Sequence, residues 1–213
     1  MSPVVANFRS PAALARFFLV MLVGLLADLG TKYWAYAMLV DNTYVTREGR
    51  VEVVSVQPNP VFIPHVIELH VTNNHGAVFG MGQGKRWFFI VVSIVAIGFL
   101  TYLFVQSGHQ KLYQVILGLL LAGVLGNMYD RAVYGYVRDM IYGLPGWAWP
   151  GEWSIGFLNY PANPERLVFP WIFNIADMML CTGVFLMIVY SLFQPNPKPP
   201  ETGDNVQQSS SVG

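Results

Sequence analysis

The chain has 213 residues, of which 54% are hydrophobic and only 11% are charged, and its formal net charge is zero. A soluble globular domain usually carries roughly 25% charged residues, so this composition excludes an ordinary soluble protein and indicates an integral membrane protein. The zero net charge argues against a nucleic acid partner. The single cysteine, Cys181, excludes an intramolecular disulfide and any metal cluster built from cysteines.

Four apolar stretches follow one another along the chain, at residues 17–40, 87–105, 112–129 and 171–193. A helix needs about 20 apolar residues to cross the hydrocarbon core of a bilayer. The first stretch could instead be a signal peptide, but it is too long for one, and the charged pair Asp28 and Lys32 is out of place there. We therefore predict a mostly α-helical membrane protein with four transmembrane helices.

The segments between the helices have their own compositions. Residues 41–86 are rich in valine and isoleucine with proline and asparagine breaks, which predicts a small β-sheet at the membrane surface, between helices 1 and 2. Residues 140–170 contain Trp147, Trp149 and Trp153, so we place this loop in the headgroup layer.

The domain organisation follows from these segments. We expect residues 1–193 to form a single domain and the Pro/Ser/Gln-rich tail, residues 194–213, to be disordered. Four spans place both ends of the chain on one side of the membrane. Lysines and arginines occur on both sides, so the positive-inside rule alone does not fix the orientation.

Several common catalytic patterns are missing from the sequence. It has no H-E-x-x-H zinc motif and no G-x-S-x-G nucleophile motif. His65, His70 and His75 are evenly spaced, but at a spacing of five on a strand neighbouring side chains point to opposite faces. Without an acidic or cysteine partner pattern, we interpret them as ordinary loop histidines. We therefore expect neither a metal nor another cofactor.

Polar residues at the ends of the apolar stretches remain as candidates. Asp28 and Lys32 are four residues apart, share one face of a helix, and are most simply interpreted as a structural ion pair. Asn74 precedes a turn of small residues just before the second helix and, taken alone, is an ordinary turn residue.

The third helix ends, and the fourth begins, on the same side of the membrane. Asp130 and Arg131 end the third helix, and we expect Asp130 to anchor Arg131. Asp139 follows nine residues after Asp130, while Asp177 lies near the start of the fourth helix, so the two carboxylates can converge at one depth. Each of these carboxylates could instead cap a helix or pair with Arg131 or Arg138. Ionisable residues inside a membrane are nevertheless functional candidates by default.

Two close carboxylates can hydrolyse an amide bond, because repulsion keeps a proton on one of them while the ionised one activates water. A proton relay in a transporter would use the same residues, and a non-catalytic assembly subunit could use them only to hold helices together. Neutral hydrogen-bonding groups at Asn74, Asn127 and Asn174 suit the positioning of a peptide better than the conduction of ions.

Four motifs occur in order between the apolar stretches: "DLGTK", "NHGAVF", "GNMYDR" with "GYVRDMI", and "FNIAD". In this order the chain resembles the lipoprotein signal peptidases, the bacterial type II signal peptidases, over roughly residues 17–193. The resemblance implies four spanning helices, an aspartic mechanism and a small periplasmic sheet, or cradle. It implies that the catalytic aspartates are Asp139 and Asp177. The matching polar positions around the active site are Asn74, Asn127, Arg131 and Asn174, and those tied to structure and activity are Asp28, Lys32 and Asp130.

The resemblance also implies a substrate and a location. The substrate would be a prolipoprotein whose cysteine already carries diacylglycerol, cleaved just before that cysteine. The site would lie near the periplasmic face of the bacterial inner membrane, with both termini in the cytoplasm. We expect a monomer that contacts membrane lipid. The chain departs from the family pattern in a longer segment between Asp139 and Asn174, in an extended region at residues 41–70, and in Arg138, where an apolar residue is usual. If Arg138 points inward, it could lower the pKa of Asp139; the alternative is that it points to the lipid headgroups.

Overall fold

The structure is a computed structural model that describes residues 10–47, 49–76, 84–150, 153–155, 158–160 and 167–193. Within this part of the chain there are four helices, α1 (Pro11–Leu39), α2 (Arg86–Gln106), α3 (Lys111–Val133) and α4 (Ile175–Leu192). All four are long and apolar enough to cross a membrane, with mean hydropathies between 1.6 and 2.7. The prediction of a mostly α-helical membrane protein with four spans is confirmed.

Helix α3 is the centre of the bundle. In its most apolar stretch 56% of the residues are buried, whereas in the corresponding stretches of the other three helices only 11% to 17% are buried. Those three helices therefore present most of their surface outward. Gly126 on α3 leaves room for the side chain of Asp28 on α1, because a Cβ atom at position 126 would collide with the carboxylate of Asp28. The absence of that Cβ lets Asp28 reach across and accept a hydrogen bond from the backbone N–H of Ala176, at 2.8 Å.

The start of α4 is fixed by a capping box. The side chain of Asn174 accepts a hydrogen bond from the backbone N–H of Asp177 at 2.9 Å, and the carboxylate of Asp177 accepts one from the backbone N–H of Asn174 at 3.2 Å. This reciprocal pair satisfies backbone donors that have no partner within the helix. The helix therefore begins at Ile175, four residues later than the apolar stretch, and Ile172–Phe173 form a strand instead.

The described residues between the helices form eight strands. Strands β1 (Val40–Val45) and β2 (Val51–Ser55) form a hairpin, and β6 (Trp153–Ile155) pairs with β7 (Leu158–Tyr160). The largest sheet is antiparallel, in the order β3 (Val61–Ile63), β4 (Ile67–Asn74), β5 (Val137–Gly143) and β8 (Ile172–Phe173).

The largest sheet draws strands from two separate segments. Strands β1 to β4 lie between α1 and α2, where the sequence predicts them, but β5 and β8 come from the segment between α3 and α4. The chain turns from α3 into β5 at Gly135, whose φ of 91° favours glycine. Strand β4 then pairs with β5 so that Thr72 lies opposite Asp139 and Asn74 opposite Val137. This pairing brings the end of β4 beside Asp139.

Apolar contacts hold both ends of the bundle. At one end the ring of Phe17 stacks on that of Phe104, with 4.2 Å between centroids. At the other end a buried cluster joins α1 to the sheet through Ala35, Leu39, Val71 and Met140. Trp147 and Trp149 in the second connecting segment are 52% and 39% exposed. The side chain of Trp153 and the tail at residues 194–213 lie outside the described residues.

Candidate active site

Asp139 and Asp177 converge at one end of the bundle, as the sequence predicts. Asp139 lies on β5 and Asp177 in the first turn of α4. Asn174 contacts both carboxylates: its side-chain Nδ2 donates to Oδ1 of Asp139 at 2.6 Å, and its backbone N–H donates to Oδ2 of Asp177 at 3.2 Å. One residue therefore fixes the positions of the two acid groups relative to each other.

The surroundings of Asp177 suit a negative charge. Its Oδ1 accepts a hydrogen bond from Nδ2 of Asn127 at 2.8 Å. It also lies in the first turn of α4, where the helix dipole and the free backbone N–H groups favour an anion. Asp177 thus has the helix-capping role that the sequence left open. It is also linked to Asp139, because Asn174 donates hydrogen bonds to both carboxylates.

The surroundings of Asp139 differ. Its side chain is only 1% exposed, and its oxygens accept hydrogen bonds from Asn174 and, at 3.1 Å, from Nδ2 of Asn74. Burial and the nearby charge of Asp177 raise the pKa of Asp139 to about 8. At neutral pH Asp139 therefore keeps its proton, and the pair contains one carboxylic acid and one group better placed to carry the charge.

Arg138 does not point toward Asp139, so the condition under which it would lower the Asp139 pKa is not met, and it does not point to the headgroups either. Successive residues of a strand point to opposite faces, so Arg138 is directed away from its neighbour. Its side-chain Nε and Nη2 donate to Oδ1 of Asp130 at 3.1 and 2.8 Å, and its backbone N–H donates to Oδ2 at 3.0 Å. The structure therefore gives Arg138 an anchoring role on the rear face of β5.

The predicted pairing of Asp130 with Arg131 is also wrong. Adjacent residues on a helix do not face each other. Asp130 instead pairs with Arg138 and with Lys32, whose Nζ lies 3.3 Å from its Oδ2. Arg131 points the other way: its Nη2 donates to the carbonyl oxygen of Gly76 at 2.9 Å, and its guanidinium lies 5.0 Å from the ring centroid of Phe89.

The predicted ion pair between Asp28 and Lys32 is present on α1, with 2.8 Å between Oδ2 and Nζ. Both side chains are fully buried. Lys32 also donates to Oδ1 of Asn127 at 3.1 Å. The pair is therefore not an isolated structural feature, because it reaches Asp177 through the amide of Asn127.

A cavity of about 690 Å³ opens beside the two carboxylates. That size is ordinary for a ligand-binding pocket. One part of its wall is polar and includes Asn74, Asn127, Arg131, Asp139 and Asp177. Most of the rest is apolar and includes Phe89, Val92, Ala96, Val124, Met178 and Leu180. The cavity therefore suits an amphiphile with a polar group at the carboxylates and hydrocarbon along the helices.

The three histidines lie in different surroundings. His65 occupies a turn with a φ of 59°, and Nδ1 of His70 lies 3.3 Å from Nδ2 of Asn59. His75 lies 3.4 Å from the carboxylate of Glu52. In the described part of the chain, no three histidine, cysteine or acidic side chains group closely enough to hold a metal ion.

Two supporting residues were missed by the sequence analysis. The hydroxyl of Tyr36 lies within hydrogen-bond distance of the carbonyl oxygen of Thr72 and of Oδ1 of Asn73. Nδ2 of Asn73 donates to the carbonyl oxygen of Val51 at 2.7 Å. These contacts hold β4, and with it Asn74, against α1 and β2. The adjacent asparagines in "VTNNHG" were the available signal, since neighbouring side chains on a strand point to opposite faces and so take different partners.

Known proteins resemble this chain in sequence and in fold. The signal peptidase (SPase) II family matches residues 20–193. The lipoprotein signal peptidase of Latilactobacillus sakei is 36% identical over 133 residues, which are 62% of this chain and 74% of that protein. The lipoprotein signal peptidase of Clostridium tetani is 29% identical over 173 residues, which are 81% and 89% of the two chains.

Two solved structures of a bacterial membrane enzyme, determined by the in meso method, have the same fold. The structure at 2.3 Å resolution gives a TM-score of 0.60 at 29% identity and covers 86% of this chain and 91% of that one. The structure at 1.9 Å gives a TM-score of 0.56 at 28% identity and covers 83% and 92%. Because the family match spans most of the chain and includes every polar residue described above, the chain belongs to the signal peptidase II family and is a membrane-spanning peptidase.

Proposed function

We propose that this chain is an intramembrane aspartic endopeptidase that removes the signal peptide from diacylglyceryl-modified prolipoproteins, with Asp139 and Asp177 as its catalytic pair. The observation that carries the proposal is the pair of hydrogen bonds from Asn174 to both carboxylates, at the polar end of a largely apolar cavity. The relatives that bear the name lipoprotein signal peptidase support the substrate class.

Asp177 acts as the general base in this proposal and Asp139 as the general acid. The ionised carboxylate of Asp177 takes a proton from a water molecule while the water oxygen attacks the carbonyl carbon of the scissile amide. Asp139, which burial and the charge of Asp177 keep protonated at neutral pH, donates its proton to the carbonyl oxygen. The product of this step is a neutral tetrahedral intermediate.

The second step returns both carboxyl groups to their starting states. Asp177 passes its new proton to the amide nitrogen as the C–N bond breaks, so the amine leaves uncharged and Asp177 is again ionised. The hydroxyl that was formed on the former carbonyl oxygen returns its proton to Asp139 as the carbonyl re-forms. The products are a new carboxyl end on the signal peptide and a new amino end on the mature lipoprotein.

Neutral amides hold this pair in place. Asn74 and Asn174 donate to Asp139, and Asn127 donates to Asp177, so three asparagines constrain the acid groups without adding charge. Arg131 lines the same cavity, where a positive charge would stabilise the partial negative charge that develops on the carbonyl oxygen until Asp139 protonates it.

The shape of the cavity agrees with a lipidated substrate. Hydrocarbon chains attached to the substrate cysteine would lie along the apolar wall formed by residues such as Val92, Val124 and Leu180. The peptide bond just before that cysteine would then be held at the carboxylates. Because one chain carries both acid groups, a monomer suffices for the reaction.

Four spans support an arrangement with residues 10 and 193 on one side of the membrane and the carboxylates on the other. We assign the ends of the chain to the cytoplasm and the carboxylates to the periplasmic face of the bacterial inner membrane. In this assignment residues 1–193 act as a single domain.

The proposal is tested with the purified protein in detergent and a synthetic prolipoprotein that carries diacylglycerol on its cysteine. We expect cleavage just before that cysteine, which mass spectrometry of both products would locate. The same precursor without the lipid is the matched control and should be cleaved at least about tenfold more slowly, because the apolar wall then has no ligand. Equal cleavage of the two precursors, or cleavage elsewhere, would contradict the substrate assignment.

A further inference from the structure

The side chain of Lys32 is fully buried behind the carboxylate pair and does not touch it. Its ammonium group contacts Asp28, Asp130 and Oδ1 of Asn127, at 2.8, 3.3 and 3.1 Å. We infer that Lys32 is a positioning residue for the cleavage reaction, which acts through Asn127 by fixing the orientation of its amide toward Asp177. The inference rests on the proposed aspartic function.

The hydrogen bonds of Asn127 permit only one orientation of its amide. Oδ1 accepts from Nζ of Lys32 at 3.1 Å and from Nδ2 of Asn174 at 3.2 Å, while Nδ2 donates to Asp177 at 2.8 Å. In the flipped orientation the amide NH₂ would face an ammonium group and another amide donor, and the oxygen would face a carboxylate. An ammonium group offers only donors, so Lys32 enforces the orientation that supports Asp177.

The charges around Lys32 point to a second effect of the same contact. The titratable and charged groups that face this region are Asp28, Lys32 and Tyr36 on α1, Asp130 and Arg131 on α3, Arg138 and Asp139 on β5, and Asp177 on α4. Among these described residues four carboxylates face three cations. The group is therefore neutral when the catalytic pair holds a single proton, which is the state that the chemistry needs. Loss of Lys32 would favour uptake of a further proton.

The single substitution Lys32→Met is a poor test by itself, because it leaves the carboxylate of Asp28 buried without its cation. Removing one partner of a buried ion pair is strongly destabilising, whereas replacing both partners is often close to neutral. The double substitution Asp28→Asn with Lys32→Met removes one charge of each sign. An asparagine oxygen at position 28 can still accept the hydrogen bond from the backbone N–H of Ala176.

The chain supplies a matched control at the other end of the bundle. Arg16 on α1 donates through Nε to Oε1 of Gln114 on α3 at 2.9 Å, so it too is a cation bound to a buried amide oxygen. Gln114 donates in turn to Ser107 and Gly108 and contacts neither catalytic carboxylate. The substitution Arg16→Met therefore removes the same kind of contact without reaching the site.

The experiment measures kcat, KM and melting temperature for the wild type, Lys32→Met, the double variant and Arg16→Met, with the lipidated precursor across a range of pH. For the double variant we expect a melting temperature close to that of the wild type. Its kcat should fall about 10²-fold, because a misplaced catalytic group costs roughly that much, while KM changes by less than about threefold. The acidic limb of the pH–rate profile should move to higher pH in Lys32→Met, which removes a cation alone, and should stay near that of the wild type in the double variant, which removes one charge of each sign. Arg16→Met should keep the wild-type kcat and profile.

Three outcomes would overturn the inference. The double variant could fold and keep the kcat of the wild type, Arg16→Met could lose as much kcat as the double variant, or the double variant could fail to fold while Arg16→Met folds. Failure of the proposed function has a different signature, because the wild type would then not cleave the precursor, or Asp177→Asn would still cleave it.

Discussion

Two polar clusters join α1 to α3, one at each end of the bundle. At one end Lys32 donates to the amide oxygen of Asn127, and at the other Arg16 donates to that of Gln114. The two cations are 16 residues apart on one helix, which at 1.5 Å per residue is a separation of about 24 Å. The clusters are thus alike in chemistry and in the helices that they connect.

The two clusters differ in what the amide nitrogen of Gln114 or Asn127 contacts. Nε2 of Gln114 donates to the hydroxyl of Ser107 and the carbonyl oxygen of Gly108, so this cluster closes on the turn between α2 and α3. Nδ2 of Asn127 donates to Asp177, which lines a cavity. A cation bound to a buried amide therefore serves helix packing at both ends, and the carboxylate end alone continues to paired acids beside an open cavity.

The largest expected difference between the two ends comes from the acids themselves. Asp139→Asn and Asp177→Asn should each abolish cleavage, because asparagine keeps the size of aspartate but cannot exchange a proton. General acid–base help contributes roughly 10²–10⁴-fold to a rate, and groups that act as a unit lose about as much singly as together. Turnover of the lipidated precursor, beside a melting curve in detergent, checks this. Near-normal turnover by either variant would remove that residue from the catalytic pair.

Asp130 distinguishes anchoring from chemistry within the carboxylate end. Asp130→Asn should lower both stability and activity, because it removes a fully buried carboxylate that pairs with Arg138 and Lys32. Removing one partner of a buried pair costs about 3–5 kcal/mol, and a fall in melting temperature would show it. Full stability with total loss of turnover would instead make Asp130 part of the catalytic machinery.

The pH dependence of cleavage should arise at the carboxylate end of the bundle. Because the pKa of Asp139 is raised to about 8, its protonated form is lost as pH rises through that value, and cleavage should decline there if Asp139 is the acid.

The same raised pKa has a consequence for stability. Asp139 contributes stability that is fully present below its ordinary pKa of 3.8 and is lost as pH rises toward about 8. Melting temperatures of the wild type and Asp139→Asn between those values should therefore shift in favour of the variant as pH increases. A constant difference between the two proteins would contradict the raised pKa.

Arg16→Met should change stability alone. The lost hydrogen bond involves a charged donor that is partly exposed, so we expect a cost of about 1 kcal/mol and a small fall in melting temperature. Activity measured well below the melting temperature should be that of the wild type. A clear loss of turnover would show that the two ends of α1 are coupled, and would weaken the contrast between the clusters.

The smallest expected effect concerns the surroundings of the carboxylate end. Trp147 and Trp149 follow β5 and are exposed, so we expect them to lie in the headgroup layer on that side of the membrane. In liposomes the fluorescence difference between the wild type and a Trp147→Phe, Trp149→Phe variant should be quenched by shallow lipid-attached quenchers. Quenching of that difference by aqueous iodide alone would place the two side chains in water.

Much of this architecture follows from local patterns in the sequence. The spans are readable because about 20 consecutive apolar residues have few other uses, and the Asp28–Lys32 pair is readable because it needs only helical spacing. The convergence of Asp139 and Asp177 follows from counting spans. Each of these features depends on residues that are close in sequence or on the number of membrane crossings.

The features that the sequence did not reveal depend on pairing between distant segments. The sequence left both Arg131 and Arg138 open as partners of Asp130. The choice between them requires knowing that residues 137–143 form a strand, because a strand directs Arg138 and Asp139 to opposite faces. Strand β5 is placed by its register with β4, more than 60 residues earlier, which no local pattern encodes. The motifs of the family singled out two acids that the structure brings together at the cavity, but did not say which cation holds which carboxylate.

The capping box at the start of α4 has a consequence for how the enzyme is made. Asp177 and Asn174 belong to the fourth helix, and Ala176 in the same turn is tied back to Asp28 on the first. A nascent chain with three helices in the bilayer therefore carries Asp139 but lacks its partner acid and the asparagine that holds both. On the proposed chemistry the peptidase is therefore inactive during its own membrane insertion, and it becomes active when the fourth helix packs against the first.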